Sequence, residues 1–322
     1  MTERRIRPLL LSLLAGLGIY LLALAVGDLQ GALATMARLS PALWAGLLGL
    51  SLVNYGIRLL RWRYYLARLR EYPPEPWHSL YYLAGFALTT TPGKAGEAVR
   101  ALYLREHGVA LARTLAALFV ERLNDLAAIL LLALLVPVML GVGYWPVLLA
   151  LPFLLLLLGA LRAAWLGHLL TDLGFLLWGR ARVLCQGLAR LRRDAHALLA
   201  PTPLYGGLAL GVIAWGAEGL GLYWLLASLD IHLPVLLVTG IYALAVLAGA
   251  LSFIPGGLGS TEATLVLLLV GQGVDTATAL AVALVCRLVT LWFAVLLGAI
   301  AMLWLEWCGR GLGRTLAAPA CR

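Results

Sequence analysis

No stretch of this sequence is both long and polar enough to fold as a soluble catalytic domain, so any chemistry takes place inside a membrane or at its edge. Charge is scarce: charged residues are 12% of the 322-residue chain, against about 25% in an ordinary soluble domain. Acid is scarcer still, with 15 Asp and Glu against 24 Lys and Arg. Cys185, Cys286, Cys308 and Cys321 form no Cys-x-x-Cys pair and no metal-ligand spacing, which leaves no argument for zinc, a disulfide frame or redox chemistry. The five His are scattered. P-loop, nucleophile-elbow and His-Glu-x-x-His signatures are missing, so no catalytic residue, metal site or cofactor is expected.

What the sequence has in quantity is apolar residue, 63% of the total, in long runs. That composition predicts an all-α polytopic membrane protein. The net charge of +9 does not point to nucleic acid, because the basic residues collect between alternate apolar runs. Arg4, Arg5 and Arg7 precede the first run; Arg58, Arg61, Arg63, Arg68 and Arg70 follow the second; a basic segment at 162–203 separates the fifth and sixth. The positive-inside rule then places both termini in the cytoplasm of a bacterial inner membrane. Six spans are expected, at about 8–27, 41–62, 113–140, 144–161, 204–228 and 277–305. Within 162–203, Leu184, Leu188, Leu191 and Leu198 fit an amphipathic helix, lying on the inner leaflet or packed on the bundle.

Two apolar stretches are broken by near-copies of one motif. Pro92-Gly93-Lys94-Ala95-Gly96-Glu97 and Pro255-Gly256-Gly257-Leu258-Gly259-Ser260-Thr261-Glu262 both read Pro-Gly-x-x-Gly with a Glu beyond. Such breaks free backbone groups that lipid cannot satisfy, so they belong in protein or beside water. Both flanks of the first break are basic and both flanks of the second lack Lys and Arg. Two re-entrant helical hairpins follow, one entering from each side. The span after each hairpin carries Val-x-Arg-Leu-x-x-Leu, at Val120 to Leu126 and at Val285 to Leu291. The whole chain, 1–322, is thus expected to be a single membrane domain built as an inverted repeat, with halves at about 41–140 and 204–305.

The buried charges define a candidate site. Arg122 and Arg287 fall deep in their spans, where an arginine costs at least about 2.5 kcal/mol unless it faces protein or water. Thr91 and either Gly259 or Ser260 can cap the second limb of each hairpin, and helix N-termini favour anions. Arg122, Arg287, Lys94 and Arg100, with Pro92, Gly93, Gly96, Pro255, Gly256, Gly257, Gly259 and Ser260 at the tips, suit a phosphate attached to something hydrophobic. Glu97, Glu121, Asp125, Glu218 and Glu262 are candidates for charge pairing or coupling. Arg122 and Asp125, three apart on a helix, can also be a purely structural pair. Glu218 is either a partner of Arg122 or Arg287, or a protonation site.

Residues 91–100 (Thr-Pro-Gly-Lys-Ala-Gly-Glu-Ala-Val-Arg), 120–125 (Val-Glu-Arg-Leu-Asn-Asp) and 254–263 (Ile-Pro-Gly-Gly-Leu-Gly-Ser-Thr-Glu-Ala) resemble the lysylphosphatidylglycerol synthase transmembrane region, or flippase-like domain, family. The resemblance extends over nearly the whole chain. It implies movement of a lipid between leaflets, without the separate soluble domain that makes the aminoacyl lipid in bifunctional members. The expectation is therefore a non-enzymatic flippase or transporter for an anionic phospholipid or a polyprenyl-phosphate-linked lipid. An intramembrane lipid-phosphate transferase, or a membrane scaffold for a glycosyltransferase or lipid synthase, are the alternatives. The expected partner is a membrane lipid with an anionic head group, with a homo-oligomer or a glycosyltransferase or lipid synthase partner beside it.

Overall fold

The computed structural model describes residues 29–91, 96–141, 143, 151–176 and 179–310. The described elements are helical. They are α1 (Leu29–Ala37), α2 (Pro41–Arg68), α3 (Trp77–Ala84), α4 (Val99–Arg105), α5 (Leu111–Ala133), α6 (Leu135–Leu140), α7 (Leu151–Arg162), α8 (Ala164–Leu176), α9 (Gly179–Leu198), α10 (Pro201–Ala227), α11 (Val235–Leu251), α12 (Ser260–Val270), α13 (Thr276–Arg287) and α14 (Phe293–Trp307). Among the described residues, four stretches are long and apolar enough to cross a membrane: Pro41–Arg68, Leu111–Leu140, Pro201–Ala227 and Thr276–Trp307. They match the spans expected at 41–62, 113–140, 204–228 and 277–305. The expected span at 8–27 lies outside the described residues. Of 144–161, residues 144–150 lie outside them, and Leu151–Arg162 contributes only 12 helical residues.

Local chemistry explains the helix ends. Ser40 caps α2 by accepting from the Leu43 amide at 3.2 Å, with Pro41 in the first turn. Asp275 caps α13 through the Thr278 amide at 2.9 Å. Its hydrogen bonds from Thr278 hold the carboxyl below the ordinary carboxylate range. Between α13 and α14, Leu288–Trp292 widens into a π-turn immediately after Arg287. The Tyr55 hydroxyl of α2 donates to the Thr290 carbonyl there, satisfying a group the wider turn exposes.

α2 and α10 run antiparallel in close contact. A Cβ at Gly46 would touch Trp224, one at Gly211 would touch Arg61, and one at Gly207 would strike the Tyr65 ring. α5 packs on α10, α11 and α9. Each broken stretch lies against the bundle. The first comprises α3, a 3₁₀ turn at Gly85–Leu88, the break, and α4; the second comprises α11, a turn at Pro255–Gly257, and α12. The entering limb of each packs on the span that follows the other: α3 on α14, and α11 on α5. The first contact depends on Gly298, where a Cβ would lie 2.1 Å from the Ala87 nitrogen. Arg310 adds to this anchor by placing its guanidinium 4.2 Å from the centre of the Trp77 ring. Burial, and after it the charge of Arg310, hold the His107 imidazole below its ordinary range. It sits 3.0 Å from the Tyr81 hydroxyl.

Helix α9 packs by its C-terminal half. Leu198 is buried against the bundle, whereas Leu184 and Leu188 are exposed. The leucine pattern expected of an amphipathic helix therefore serves bundle packing at one end and leaves its other end uncovered.

Gly298→Ala should destabilise the protein by about 1–3 kcal/mol through overpacking against the backbone of Phe86 and Ala87. Gly49→Ala, with nothing within 4 Å of its added Cβ, should not. Thermal melting of the two purified variants in one detergent checks the contrast.

Candidate functional site

The polar interior begins on α2. Asn54, Arg58, Arg61 and Tyr65 recur at helical spacing on one face, and all four are buried. This corrects the expectation that Arg58 and Arg61 are loop charges following a span. The helix continues to Arg68, and both guanidiniums turn inward against α5. Arg61 Nη2 donates to Asp125 Oδ1 at 2.5 Å, and Nη1 to the Gly207 carbonyl at 3.3 Å. The missing Cβ at Gly211 leaves room for that guanidinium.

Around Asp125 the charges form a network. Glu121 accepts from Arg122 at 2.7 Å, Arg100 at 3.0 Å and the Tyr82 hydroxyl at 3.1 Å. Glu97 accepts from Arg100 at 2.5 Å and from the Thr89 hydroxyl at 3.1 Å, and lies 3.6 Å from Arg122. Arg122 and Asp125 are 3.2 Å apart, as their spacing predicts. Trp215 Nε1 of α10 also donates to Asp125, at 3.2 Å. Removing any one member leaves an opposite charge buried without compensation, a change that costs about 3–5 kcal/mol in comparable pairs.

The second half carries a simpler pair. Arg287 Nε donates to Glu262 Oε1 at 2.8 Å, and its Nη2 donates to the Gly256 carbonyl at 2.5 Å. Gly256 adopts φ 64°, a region glycine enters without strain, which turns that carbonyl toward the guanidinium. Each Glu beyond a Pro-Gly-x-x-Gly motif thus meets the Arg of the following span, and each pair is separated by 25 residues in sequence.

A cavity of about 280 Å³ lies between these clusters. The guanidiniums of Arg58, Arg122 and Arg287 and the carboxylates of Asp125 and Glu218 line it. Thr89, Thr91, Gly256 and Gly257 add polar wall, and apolar Leu251, Phe253 and Ile254, exposed on the molecular surface, mark where it reaches outward. Arg58 joins the ion pairs only at longer range. Its guanidinium lies between the rings of Phe86 and Trp215, at 5.5 and 5.7 Å from their centres. Its Nε and Nη2 make no hydrogen bond, although Nη2 is 3.6 Å from Glu121 and 3.7 Å from Asp125. Arg58 thus brings a buried positive charge to the cavity wall, and a positive charge there favours an anion.

The structure sorts the residues expected at the site. Arg122, Arg287, Asp125, Glu218, Gly256 and Gly257 line the cavity. Arg100 does not; it is fully buried behind the wall, bound to Glu97 and Glu121 and stacked 4.0 Å from the Tyr82 ring centre. Glu97 and Glu121 lie with it, and Glu262 stands behind Arg287. Glu218 accepts from the Tyr242 hydroxyl. Pro255, Gly259, Ser260 and Gly96 are not on the cavity wall. The expected cap at Thr91 is replaced by a local turn: its hydroxyl accepts from the Gly96 amide at 2.6 Å and donates to the Leu88 carbonyl at 2.7 Å, and α4 begins later, at Val99. At the other tip Gly259 takes the cap position without a side-chain bond, and Ser260 bonds the Gly257 carbonyl instead. Pro92, Gly93 and Lys94 lie outside the described residues.

The paired Glu and Arg behind two glycine-rich breaks are where comparison with other proteins becomes decisive. The profile of the lysylphosphatidylglycerol synthase TM region matches residues 9–298, a stretch that contains both breaks and both pairs. The chain belongs to that family. It is also 35% identical over 91 residues to a UPF0104 membrane protein of Pyrococcus horikoshii and 37% identical over 91 residues to a UPF0104 membrane protein of Methanothermobacter thermautotrophicus. Each match covers 28% of this chain and 27% of the relative, so the matched stretch spans about a quarter of those proteins' length. With four helices among the described residues long and apolar enough to span, this member of the family is a multi-pass membrane protein.

Arg61→Gln should destabilise the fold by about 3–5 kcal/mol, because it takes from a buried network the guanidinium nearest Asp125. Arg58→Gln should cost far less, because Arg58 Nε and Nη2 bond nothing in the fold. Parallel melting curves of the two variants test the division between structural and ligand-facing arginines.

Proposed function

We propose that this protein moves an anionic, phosphate-bearing lipid between the leaflets of a bacterial inner membrane. The single observation that carries the reading is the cavity wall, which Arg58, Arg122 and Arg287 all line. Bidentate guanidiniums match phosphate oxygens in geometry and charge. The exposed apolar rim at Leu251, Phe253 and Ile254 lets a tail stay in lipid while its head group enters. The candidate bases of a transferase are engaged elsewhere: Glu97, Glu121 and Glu262 each lie no more than 2.8 Å from a guanidinium nitrogen. Transport therefore accounts for the site better than catalysis.

The architecture that goes with this function is an inverted repeat of halves 41–140 and 204–305 within a single membrane domain. Six spans and two re-entrant hairpins make it up, with both termini in the cytoplasm. Two observations support it: the equal spacing of the two Glu–Arg pairs, and the exchange in which each hairpin's first limb packs on the other half's span. Rocking of the halves about the cavity would expose the head group to each leaflet in turn. In a variant lacking native cysteines, Tyr72→Cys and Glu106→Cys should label from one side of the membrane. His232→Cys and Thr276→Cys should label from the other. Labelling of either pair from opposite sides contradicts the hairpins.

Proteoliposomes carrying fluorescent phosphatidylglycerol test the transport itself. Wild-type protein should expose the lipid to an external quencher, and Arg58→Gln should slow this by at least about tenfold, the effect of losing one charge-assisted hydrogen bond. Unchanged transport by a folded Arg58→Gln variant contradicts the site.

A further inference from the structure

The rim of the large cavity has an unusual backbone. Phe253 stands just past the end of α11, leading into the second break, and adopts φ 54°. An L side chain enters that region at a cost that glycine avoids, and a bulky ring is seldom found there. Arg70 and Asp230 also have positive φ, but each closes a helix in the ordinary way. The amide after Arg70 donates to the Leu66 carbonyl at 2.9 Å, and the amide after Asp230 donates to the Leu226 carbonyl at 3.1 Å. After Phe253 the Ile254 amide turns instead to the Ser252 hydroxyl, at 3.2 Å. That hydroxyl also lies 2.9 Å from Ser260 Oγ and 2.8 Å from the Gly249 carbonyl, so the first residue of α12 and the end of α11 together hold the turn.

Packing within the fold does not offset that cost. Phe253 is 70% exposed, against 40% for Leu251 and 39% for Ile254 beside it. All three nevertheless border the cavity that Arg58, Arg122 and Arg287 line. A glycine would suit the turn better, as Gly256 does in the same break. An exposed aromatic ring kept where glycine fits best is explained by what meets it from outside the fold. The place of the ring, between a guanidinium-lined cavity and the apolar exterior, decides what that is.

We propose that Phe253 is the tail contact of the site: its ring meets the hydrocarbon next to the head group and so separates a lipid phosphate from a phosphate without a tail. The inference rests on the cavity being the head-group site. The cavity, of about 280 Å³ and with polar groups in its wall, has room for water, so the first carbons of a tail leaving it are wet on the cavity side. A ring at the rim covers them, with Leu251 and Ile254 beside it. The guanidiniums alone do not make the distinction, because they meet phosphate oxygens in the same way whichever molecule carries them. The backbone cost at Phe253 is thus offset only when a tailed ligand is bound.

The test is binding of dihexanoyl phosphatidylglycerol, and of glycerophosphoglycerol without tails, to the purified full chain in one non-ionic detergent. Phe253→Gly and Phe253→Asn both suit a positive φ and both remove the ring. Each should weaken binding of the lipid about tenfold, the effect of losing roughly 60 Å² of apolar contact. The head group without tails, read by its competition with the lipid, should bind both variants as it binds wild-type protein. Phe253→Leu keeps apolar cover and should lose less. Neither Phe253→Gly nor Phe253→Asn should lower the melting temperature, because the turn prefers both residues. Unchanged lipid binding in these two variants, an equal loss for the head group without tails, or a lower melting temperature overturns the tail contact and leaves the head-group site standing. Failure of wild-type protein to bind the lipid overturns both.

Discussion

Guanidinium groups cannot be left in hydrocarbon, and nearly everything about this protein's interior follows from meeting that demand. Arg58, Arg61 and Arg100 are all but inaccessible to solvent, and Arg287 is little more exposed. Each must bring acid with it. The acids come from different elements: Glu97 from the first break, Glu121 and Asp125 from α5, Glu262 from α12. The ion pairs therefore do more than neutralise charge. They fasten both broken stretches to the spans, and in doing so they fix the walls of the cavity. A backbone break that lipid would not tolerate is stabilised by charges that lipid would not tolerate either.

The two broken stretches solve the problem with one plan and different detail. Both place a Glu 25 residues before the Arg it meets. In the second half the pair is nearly alone, and the spare donor of Arg287 reaches the Gly256 carbonyl. In the first half Arg61 and Arg100 join, and the pair becomes a network with three carboxylates. The asymmetry matters because Glu121 and Asp125 are already held by closer guanidiniums, and Arg58 reaches them only at 3.6 and 3.7 Å. It rests between aromatic faces, charged and poised, on the wall that an anion would approach.

Much of this was legible in the sequence. Hydropathy places the four long spanning helices within a few residues, and the repeated Pro-Gly-x-x-Gly marks both breaks. Arg122, Arg287, Asp125 and Glu218 stand out as ionisable residues inside apolar runs, and all four reach the cavity. Arg58 and Arg61 were hidden by their position near the end of an apolar run, where charges ordinarily sit in a loop. The signal that exposes them is periodicity: Asn54, Arg58, Arg61 and Tyr65 share one helical face, opposite Gly207 and Gly211 of α10. Arg100 misled for the reverse reason. It follows a break and carries the right charge, yet its neighbours Glu97 and Glu121 are invisible as partners until the chain folds. Glu262 as the partner of Arg287 was equally out of reach, since their contact crosses from α12 to α13.

The central claim is that these arginines form a seat for a lipid phosphate. A density map of the protein in nanodiscs of phosphatidylglycerol tests it most directly. The account predicts a phosphorus peak inside the cavity within hydrogen-bonding distance of Arg58, with the acyl chains leaving past Phe253 and Ile254. A cavity filled by acyl chain, with head-group density confined to lipid around the outside of the bundle, would contradict it.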